Sequence, residues 1–477
     1  MEIKGKRFYL VGIKGTGLSA FAELLLNAGA YVAGSDVPEK FYTDQVLCSL
    51  GIKYNETFSA GNITDDIDCV VYSSAYDPAK NPELAEAVRR HIPIIQYTDA
   101  LGEFSASFDS SGIAGVHGKT TTTALAGTVL KALDAPAAVL AGSAVSNFGN
   151  RSTMVNGSRF FVAETCEYKR HFMSFHPKRI IITSIEPDHL DFYPTYQDIF
   201  NAFLDYAMLL PAGGTLIYCA DDAGCLELRE KVAALRSDIK LLPYGKNADG
   251  RFRLTGSEVK NGRNCFSVSG FDREFAIRIP GEHIALDAVA ALALAVSVTE
   301  DWKGTELSAA DLDKIASGFE SFRGSRRRSE IVGEAGGILF MDDYGHHPTA
   351  IRLTLEGIRK FYPDRRIVVD FMSHTYSRTA GLLDDFASSF DSADVVILND
   401  IYSSAREKKE DSWKDLDERF FEKVRKNYPG AMYFHRPMDG FDALREFLRP
   451  GDVFITMGAG DNWTVGRKLF EYFEAEK

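Results

Sequence analysis

Short apolar runs alternate with segments whose apolar positions recur every three or four residues, from one end of the chain to the other. RFYLVGI (7–13) leads through a glycine turn into LSAFAELLLNAGA (18–30), whose spacing is helical. YVAGSD (31–36), DCVVYSSA (68–75) and IPIIQY (92–97) continue a first block of short strands. A second block holds RFFVAET (159–165), RIIITSI (179–185), the helical run TYQDIFNAFLDYAMLL (195–210) and a β-richer stretch near 250–280. The third block alternates again: GILFMDDYGHH (337–347), RRIVVDFMSH (365–374), DVVILND (394–400), a charged stretch, and DVFITMGAG (452–460). Strands of this kind, separated by helices, predict parallel sheets covered on both faces. Two stretches interrupt the pattern. SASFDSS (105–111) is polar and small and reads as a linker, and GFESFRGSRRRS (318–329) turns abruptly to glycine and arginine. The expected fold class is therefore α/β in three domains, 1–107, 108–321 and 322–477.

Composition narrows the partners. A chain of 477 residues exceeds what one hydrophobic core usually serves, and 45% hydrophobic residues describe an ordinary globular protein. The net charge of −13 argues against nucleic acid or an anionic membrane as partner, so an anionic ligand must meet a local basic cluster. Six cysteines without a C-x-x-C pair suit reduced thiols. With no signal-peptide pattern and no stretch expected to approach the roughly eighteen apolar residues that span a bilayer, the expected location is the cytoplasm.

The chemistry concentrates at the ends of the predicted strands. AGVHGKTTTT (114–123) carries Gly118-Lys119-Thr120, but the residue five before Gly118 is Ile113; the nearest glycine is Gly115, giving a short G-x-x-G-K-T loop. Small residues there let backbone N–H groups reach phosphate oxygens, with Lys119 neutralising charge and Thr120 offering a hydroxyl to Mg²⁺. Four threonines in a row are poor helix material, which points to hydroxyl chemistry. Glu164 ends one following strand, and Asp188 and His189 end the next; a carboxylate there can hold a phosphate-bridging Mg²⁺, whereas a lone histidine is more often structural. GIKGTG (12–17), with Asp36 closing the second strand, approaches a dinucleotide fingerprint, but Lys14 replaces its middle glycine. That replacement weakens an NAD reading and leaves room for a nucleotide whose charge Lys14 meets. DDYGHHPT (342–349) gathers two acids and two histidines at a strand end, with Pro348 at the first position of a helix. The RGSRRR run (323–328) is either a solvated patch or an anion clamp.

The ordered set GIKGTG…GSD, GVHGKTTTT, ETCEY, EPDHLD, RGSRRR, DDYGHHPT, SHTYSRT and GAGDNW resembles the Mur ligases of peptidoglycan synthesis over essentially the whole chain. In that family the phosphate loop is the short form. The resemblance implies a Rossmann-like N-terminal domain for the UDP moiety, a central P-loop ATPase-like domain, and a Rossmann-like C-terminal domain that closes over ATP and brings the amino acid. It implies ATP-dependent joining of L-alanine to the lactyl carboxylate of UDP-N-acetylmuramate through an acyl phosphate, by a monomer or homodimer. The alternative within the family is a recycling enzyme that attaches a preformed tripeptide to the same nucleotide sugar. By the same resemblance Gly115, His117, Gly118, Lys119, Thr120 and Thr121 bind ATP, with Lys119 on the γ-phosphate. Thr120 and Glu164 hold one Mg²⁺ and His189 serves a second. Arg327 meets phosphate and Asp343 the ATP ribose. Tyr344, His346, His374 and Arg378 receive the amino acid, with His346 and Arg378 counted as catalytic beside Lys119, Glu164 and His189. Gly15, Thr16, Gly17, Asp36, Ser73 and Ser74 bind the UDP substrate. Three departures stand out. Ile284 and Asp287 occupy positions where relatives often have adenine-binding asparagines, and Met372-Ser373 precede His374 where relatives read Gln-Pro. No lysine occurs from Leu190 to Leu210, where later-acting members carry a carbamylated lysine. A nucleotide-dependent regulatory protein that has lost ligation, and an NAD-linked oxidoreductase, are the readings from other classes.

Overall fold

A computed structural model describes residues 1–403 and 413–475; the charged stretch expected after DVVILND lies mostly outside these residues. The chain forms two compact units. One comprises Met1–Ile185, Phe200–Arg253 and Ala288–Ser321, and the other Glu186–Ile199, Leu254–Asp287 and Phe322–Lys477.

The first unit contains two sheets. β1 (Arg7–Val11), β2 (Tyr31–Ser35), β3 (Lys53–Asn55), β4 (Cys69–Tyr72) and β5 (Ile94–Gln96) run parallel in the order β3-β2-β1-β4-β5. The order reverses between β1 and β4, and the crevice beyond the carboxyl ends of those strands is where such sheets receive ligands. The second sheet uses β6 (Asp109–Ala114), β7 (Ala137–Val145), β8 (Arg151–Val155), β9 (Phe160–Glu164), β10 (Arg179–Ile182), β11 (Thr215–Cys219) and β12 (Lys240–Tyr244). Its order is β12-β11-β10-β6-β9-β7-β8, parallel except for the antiparallel edge strand β8. β6 is central, between β10 and β9.

That position corrects the linker expected at 105–111. Ser105 ends the helix Tyr97–Ser105, and residues 109–111 open the central strand, buried on both faces. Its polar residues find partners inside: Ser110 donates to the Ser105 carbonyl at 2.6 Å, and the Arg179 guanidinium donates to Ser111 Oγ. Small side chains are needed here, since a Cβ on Gly112 would collide with the Tyr206 hydroxyl. A strand threaded between large neighbours looks, in sequence, like a loop.

The second unit contains an antiparallel meander, β13 (Leu254–Lys260), β14 (Arg263–Val268) and β15 (Glu274–Ile277), where a β-rich stretch was expected. Its larger sheet has the order β16-β17-β21-β18-β19-β20, built from β16 (Glu330–Ala335), β17 (Ile338–Asp343), β18 (Arg366–Met372), β19 (Val395–Asn399), β20 (Met432–Phe434) and β21 (Asp452–Gly458). Only β16 is antiparallel to its neighbour. Two apolar clusters cover this sheet, one including Ile351, Leu355, Phe371 and Phe386, the other Phe340, Leu444, Phe454 and Leu469. The helix Glu282–Lys303 corrects the expectation that no stretch approaches a membrane span: it has the length and mean hydropathy (1.5) of one, and 78% of that window is buried inside the protein, as in a core helix.

Asp370, on β18, is 0% exposed. Its Oδ1 accepts from the side-chain amides of Asn399 at 2.8 Å and Asn462 at 3.0 Å, while Oδ2 has no hydrogen-bond partner among the described residues. Burial pushes its pKa up from 3.8 to about 7, the two amides only partly opposing. The native state therefore keeps a proton that the unfolded chain loses near 3.8, so stability from this group falls as pH rises between those values. From pH 5 to pH 7 the loss is about 2 kcal/mol, less than two full pH units at about 1.4 each because the native carboxyl is half deprotonated at its own pKa. Asp370→Asn keeps the shape and removes the titration. Denaturant unfolding is expected to show wild type losing more stability than D370N between pH 5 and pH 8; parallel losses would refute the buried proton.

Candidate active site

Between β6 and the helix Lys119–Ala132 the chain makes a loop of four residues, Gly115 to Gly118. Gly115 has φ +134°, and a Cβ there would collide with Thr183 Oγ1; Gly118 caps the helix in the left-handed region at φ +80°. Both glycines are thus required by backbone geometry. The two residues after β10 pin the loop: Val116 N–H donates to the Ser184 carbonyl at 3.0 Å and His117 N–H to Ser184 Oγ at 2.9 Å, while Thr183 Oγ1 donates to the His117 carbonyl. The helix that follows presents its first N–H groups, those of Lys119, Thr120 and Thr121, in the arrangement that favours a phosphate. Its threonines are tolerated because the helix is buried and hydroxyls bond back along it, Thr123 to the Lys119 carbonyl at 2.8 Å and Thr128 to that of Ala124 at 2.8 Å.

Lys119 folds over the loop, donating to the Gly115 carbonyl at 2.5 Å and to Glu167 at 3.0 Å. Burial opposes its charge, but Glu167, with help from Glu164, raises its pKa above the ordinary lysine value. Glu167 was not among the expected site residues; its signal was its place three positions beyond Glu164, in a segment that leaves β9 at the active end of the sheet. Glu164 ends β9 opposite Ile113, the strand residue two before Gly115. Its Oε2 accepts from Gly142 N–H at 2.7 Å, and a Cβ on Gly142 would collide with the carboxylate. The other oxygen remains available to a cation.

Glu164 also borders a cavity of about 240 Å³ that includes Thr16 and Gly17, which open the helix after the β1 turn, and Ser74 from the turn after β4, with Gly142 and His171. The glycine turn expected to bind substrate and the acid expected to bind metal thus share one cavity. Gly15 caps the helix Thr16–Asn27 without any side-chain bond, and Ser73 Oγ accepts from Ala75 N–H. Asp36 is largely internal: it accepts from the backbone N–H groups of Lys14 (2.7 Å) and Val37 (2.8 Å) and from the Tyr76 hydroxyl (3.2 Å). Lys14 also departs from expectation. Only 2% exposed, its ammonium donates to Glu56 and to the carbonyls of Val37 and Glu39, and pairs with Asp44 at 3.2 Å. It braces the loop after β2 and has no donor to offer a nucleotide.

In the second unit, the carboxyl ends of β17, β18 and β21 carry the remaining residues. Arg327, expected to meet phosphate, is committed inside the protein: it donates to Asp342 at 3.0 Å and to the carbonyls of Gly458 and Gly460 at 2.6 and 3.1 Å. In this structure it clasps the glycine loop after β21. Burial raises the pKa of Asp342 to about 6 against the pull of Arg327. Asp343 is likewise engaged, accepting from Ser329 N–H and Gly345 N–H at 2.6 Å each. The guanidinium groups of Arg327 and Arg328 lie 5.1 and 5.2 Å from the Tyr344 ring centre. His347 caps the helix Pro348–Phe361, its Nδ1 accepting from Thr349 N–H at 3.3 Å, and Pro348 stands at the first helical position as expected.

His346 faces Tyr344 and His374, and His374 stacks on Tyr402 at 5.8 Å. Its Nδ1 lies 2.9 Å from the Tyr344 carbonyl, which only accepts, so Nδ1 carries the proton and Nε2 holds the lone pair. Burial first, then Arg378, hold its pKa well below the ordinary histidine value, so the ring is neutral at physiological pH. Arg378 donates to Asp188 Oδ1 from Nε at 3.1 Å and from Nη2 at 2.9 Å, and from Nη1 to the His374 carbonyl at 3.2 Å. Against the cost of burial, that guanidinium holds the Asp188 carboxyl well below the usual carboxylate range. His189 adopts φ +51°, its N–H donating to Asp188 Oδ1 at 2.7 Å and its Nε2 lying 3.8 Å from Oδ2. Ile284 and Asp287 are both buried.

Three α/β sheets, a short phosphate loop with its lysine, and an acid at the neighbouring strand end define a nucleotide-dependent enzyme of the ligase type. The chain belongs to the Mur ligase family. Residues 7–109 match the Mur ligase family catalytic domain, 113–295 the Mur ligase middle domain, and 327–460 the Mur ligase glutamate ligase domain. UDP-N-acetylmuramate–L-alanine ligase of Treponema pallidum is 48% identical over 475 residues, covering 100% of this chain and 98% of its own length. The Borrelia garinii protein of the same name is 39% identical, with 96% of this chain and 97% of that one aligned. Among solved structures, UDP-N-acetylmuramate-alanine ligase MurC from Thermotoga maritima superposes with a TM-score of 0.76 at 25% identity, covering 99% of this chain and 100% of that one.

Proposed function

We propose that this chain joins L-alanine to the lactyl carboxylate of UDP-N-acetylmuramate with hydrolysis of ATP to ADP and phosphate, in the making of peptidoglycan precursors in the cytoplasm. The observation that carries the reading is the single cavity in which the glycine turn (Thr16, Gly17) and Ser74 meet Glu164, with the phosphate loop at the adjoining strand end. The nucleotide sugar lies along that turn, and ATP lies on the loop Gly115–Thr121. We assign residues 1–107 to the UDP substrate, 108–321 to ATP and 322–477 to the amino acid.

A carboxylate is a poor acylating agent until one of its oxygens leaves as phosphate. The lactyl oxygen attacks the γ-phosphorus and ADP departs; the alanine amine then attacks the carbonyl carbon, and phosphate leaves with that oxygen. Lys119 and the helix N–H groups neutralise charge on the transferring group, and the site works mainly by positioning. Glu164, with one oxygen unused among the described residues, and the Thr120 hydroxyl fit one Mg²⁺, and the His189 imidazole is assigned to a second. Mg²⁺ bound there supplies further neutralisation of phosphate charge. Neutral His346, its Nε2 lone pair free of the Tyr344 bond, takes the proton the amine must lose, and Arg378 receives the amino-acid carboxylate. Arg327, which also holds Asp342 and the loop after β21, is assigned to phosphate through its remaining N–H donors.

The mechanism is tested with UDP-N-acetylmuramate labelled with ¹⁸O in the lactyl carboxylate. With ATP and L-alanine present, released phosphate is expected to carry one ¹⁸O. Unlabelled phosphate would remove the acyl phosphate.

A further inference from the structure

Asp188 lies in the EPDH segment and Arg378 in the SHTYSRT segment, 190 positions apart, and the two pair in the interior of the second unit. Asp188 is 5% exposed and Arg378 8%. Arginine has five N–H donors in a rigid planar fork. Two of them, on Nε and Nη2, converge on Asp188 Oδ1, and one on Nη1 meets the His374 carbonyl. What remains is one N–H on Nη1 and one on Nη2, the end-on pair that binds a second carboxylate in two-point fashion. The same Asp188 oxygen accepts the backbone N–H of His189, which stands in the left-handed region that a histidine rarely adopts. One carboxylate oxygen thus holds both a guanidinium and the turn that presents the His189 ring.

We propose that Asp188 is a positioning residue, which aims the free end of Arg378 at the carboxylate of the incoming α-amino acid and ties that site to the His189 turn. The proposal rests on the ligase reading for its substrate and on the ion pair alone for its geometry. Charge and geometry matter to it: charge-assisted hydrogen bonds are about twice as strong as those between neutral groups, and a guanidinium–carboxylate pair adds a fixed orientation.

Two experiments on the full-length protein separate this proposal from the ligase reading. In the first, phenylglyoxal labels arginines and mass spectrometry follows the Arg378 peptide, with no substrate present. Adduct formation at Arg378 is expected to be at least fivefold faster in Asp188→Asn than in wild type, and Asp188→Glu is expected to restore protection at least in part. Equal rates in wild type and D188N overturn the clamp, whatever reaction the enzyme performs. In the second, KM for L-alanine is expected to rise at least tenfold in D188N while KM for ATP changes less than twofold. An unchanged alanine KM in a variant with an exposed Arg378 would show that the pair does not aim at the amino acid. Absence of alanine-dependent turnover in wild type would instead defeat the ligase reading and leave the labelling result to decide the clamp.

Discussion

Lys119→Ala lowers turnover by at least a thousandfold. The lysine is the only side-chain cation that the phosphate loop itself supplies, and its ammonium is held over the loop by the Gly115 carbonyl and Glu167. A preorganised charge at the transferring group is worth several kcal/mol because the site need not reorganise, and about 4 kcal/mol corresponds to a thousandfold in rate. Removing Lys119 has a second consequence. Glu167, with 2% of its side chain exposed, loses its ion pair with Lys119, and breaking a buried pair by removing one partner costs about 3–5 kcal/mol. The single variant is therefore expected to melt earlier as well. Lys119→Ala combined with Glu167→Gln separates the two effects: thermal stability recovers and turnover does not. Recovery of turnover in the double variant, or loss of less than tenfold in the single, would contradict the role assigned to the lysine.

The second large effect is expected at Glu164 and is reached from two directions. Glu164→Gln removes the charge while keeping the bond from Gly142, and is expected to lower turnover at least a hundredfold and to raise the Mg²⁺ concentration for half-maximal rate about tenfold. Gly142→Ala leaves the carboxylate in place chemically but puts a methyl group where its oxygens lie, so the side chain must swing away. The glycine variant is expected to show the same rise in Mg²⁺ requirement. Turnover measured against Mg²⁺ in both variants checks this, and an unchanged Mg²⁺ dependence in either would remove Glu164 from the metal site.

Most of the architecture was legible in the alternation of apolar runs and helical segments, because parallel strands buried on both faces are apolar throughout. The failure at 105–111 has the opposite cause: β6 is so tightly enclosed that it uses Ser110, Ser111 and Gly112, and satisfies the hydroxyls internally. Glycine positions were informative where sterics leave no alternative, as at Gly115 and Gly118. Charged residues were harder to assign, because sequence gives their type but not their partner. Lys14 and Arg327 both looked available to anions. Lys14 is instead enclosed by Asp44, Glu56 and two carbonyls, and Arg327 also holds Asp342 and the loop after β21, partners that the sequence does not reveal. Arg378 was expected at the amino-acid site, but its long-range partner Asp188 could not be read from either segment alone. The shared cavity of Thr16, Ser74 and Glu164 likewise depends on how two separate sheets bring their turns together.

The most direct test of the account is phosphate release from Mg-ATP in the presence of UDP-N-acetylmuramate, with L-alanine, glycine, L-serine or the L-Ala-γ-D-Glu-diaminopimelate tripeptide as acceptor. The account predicts fastest release with L-alanine and a nucleotide-sugar product heavier by one alanyl residue. Release with the tripeptide and not with L-alanine would contradict it and make the chain a recycling ligase.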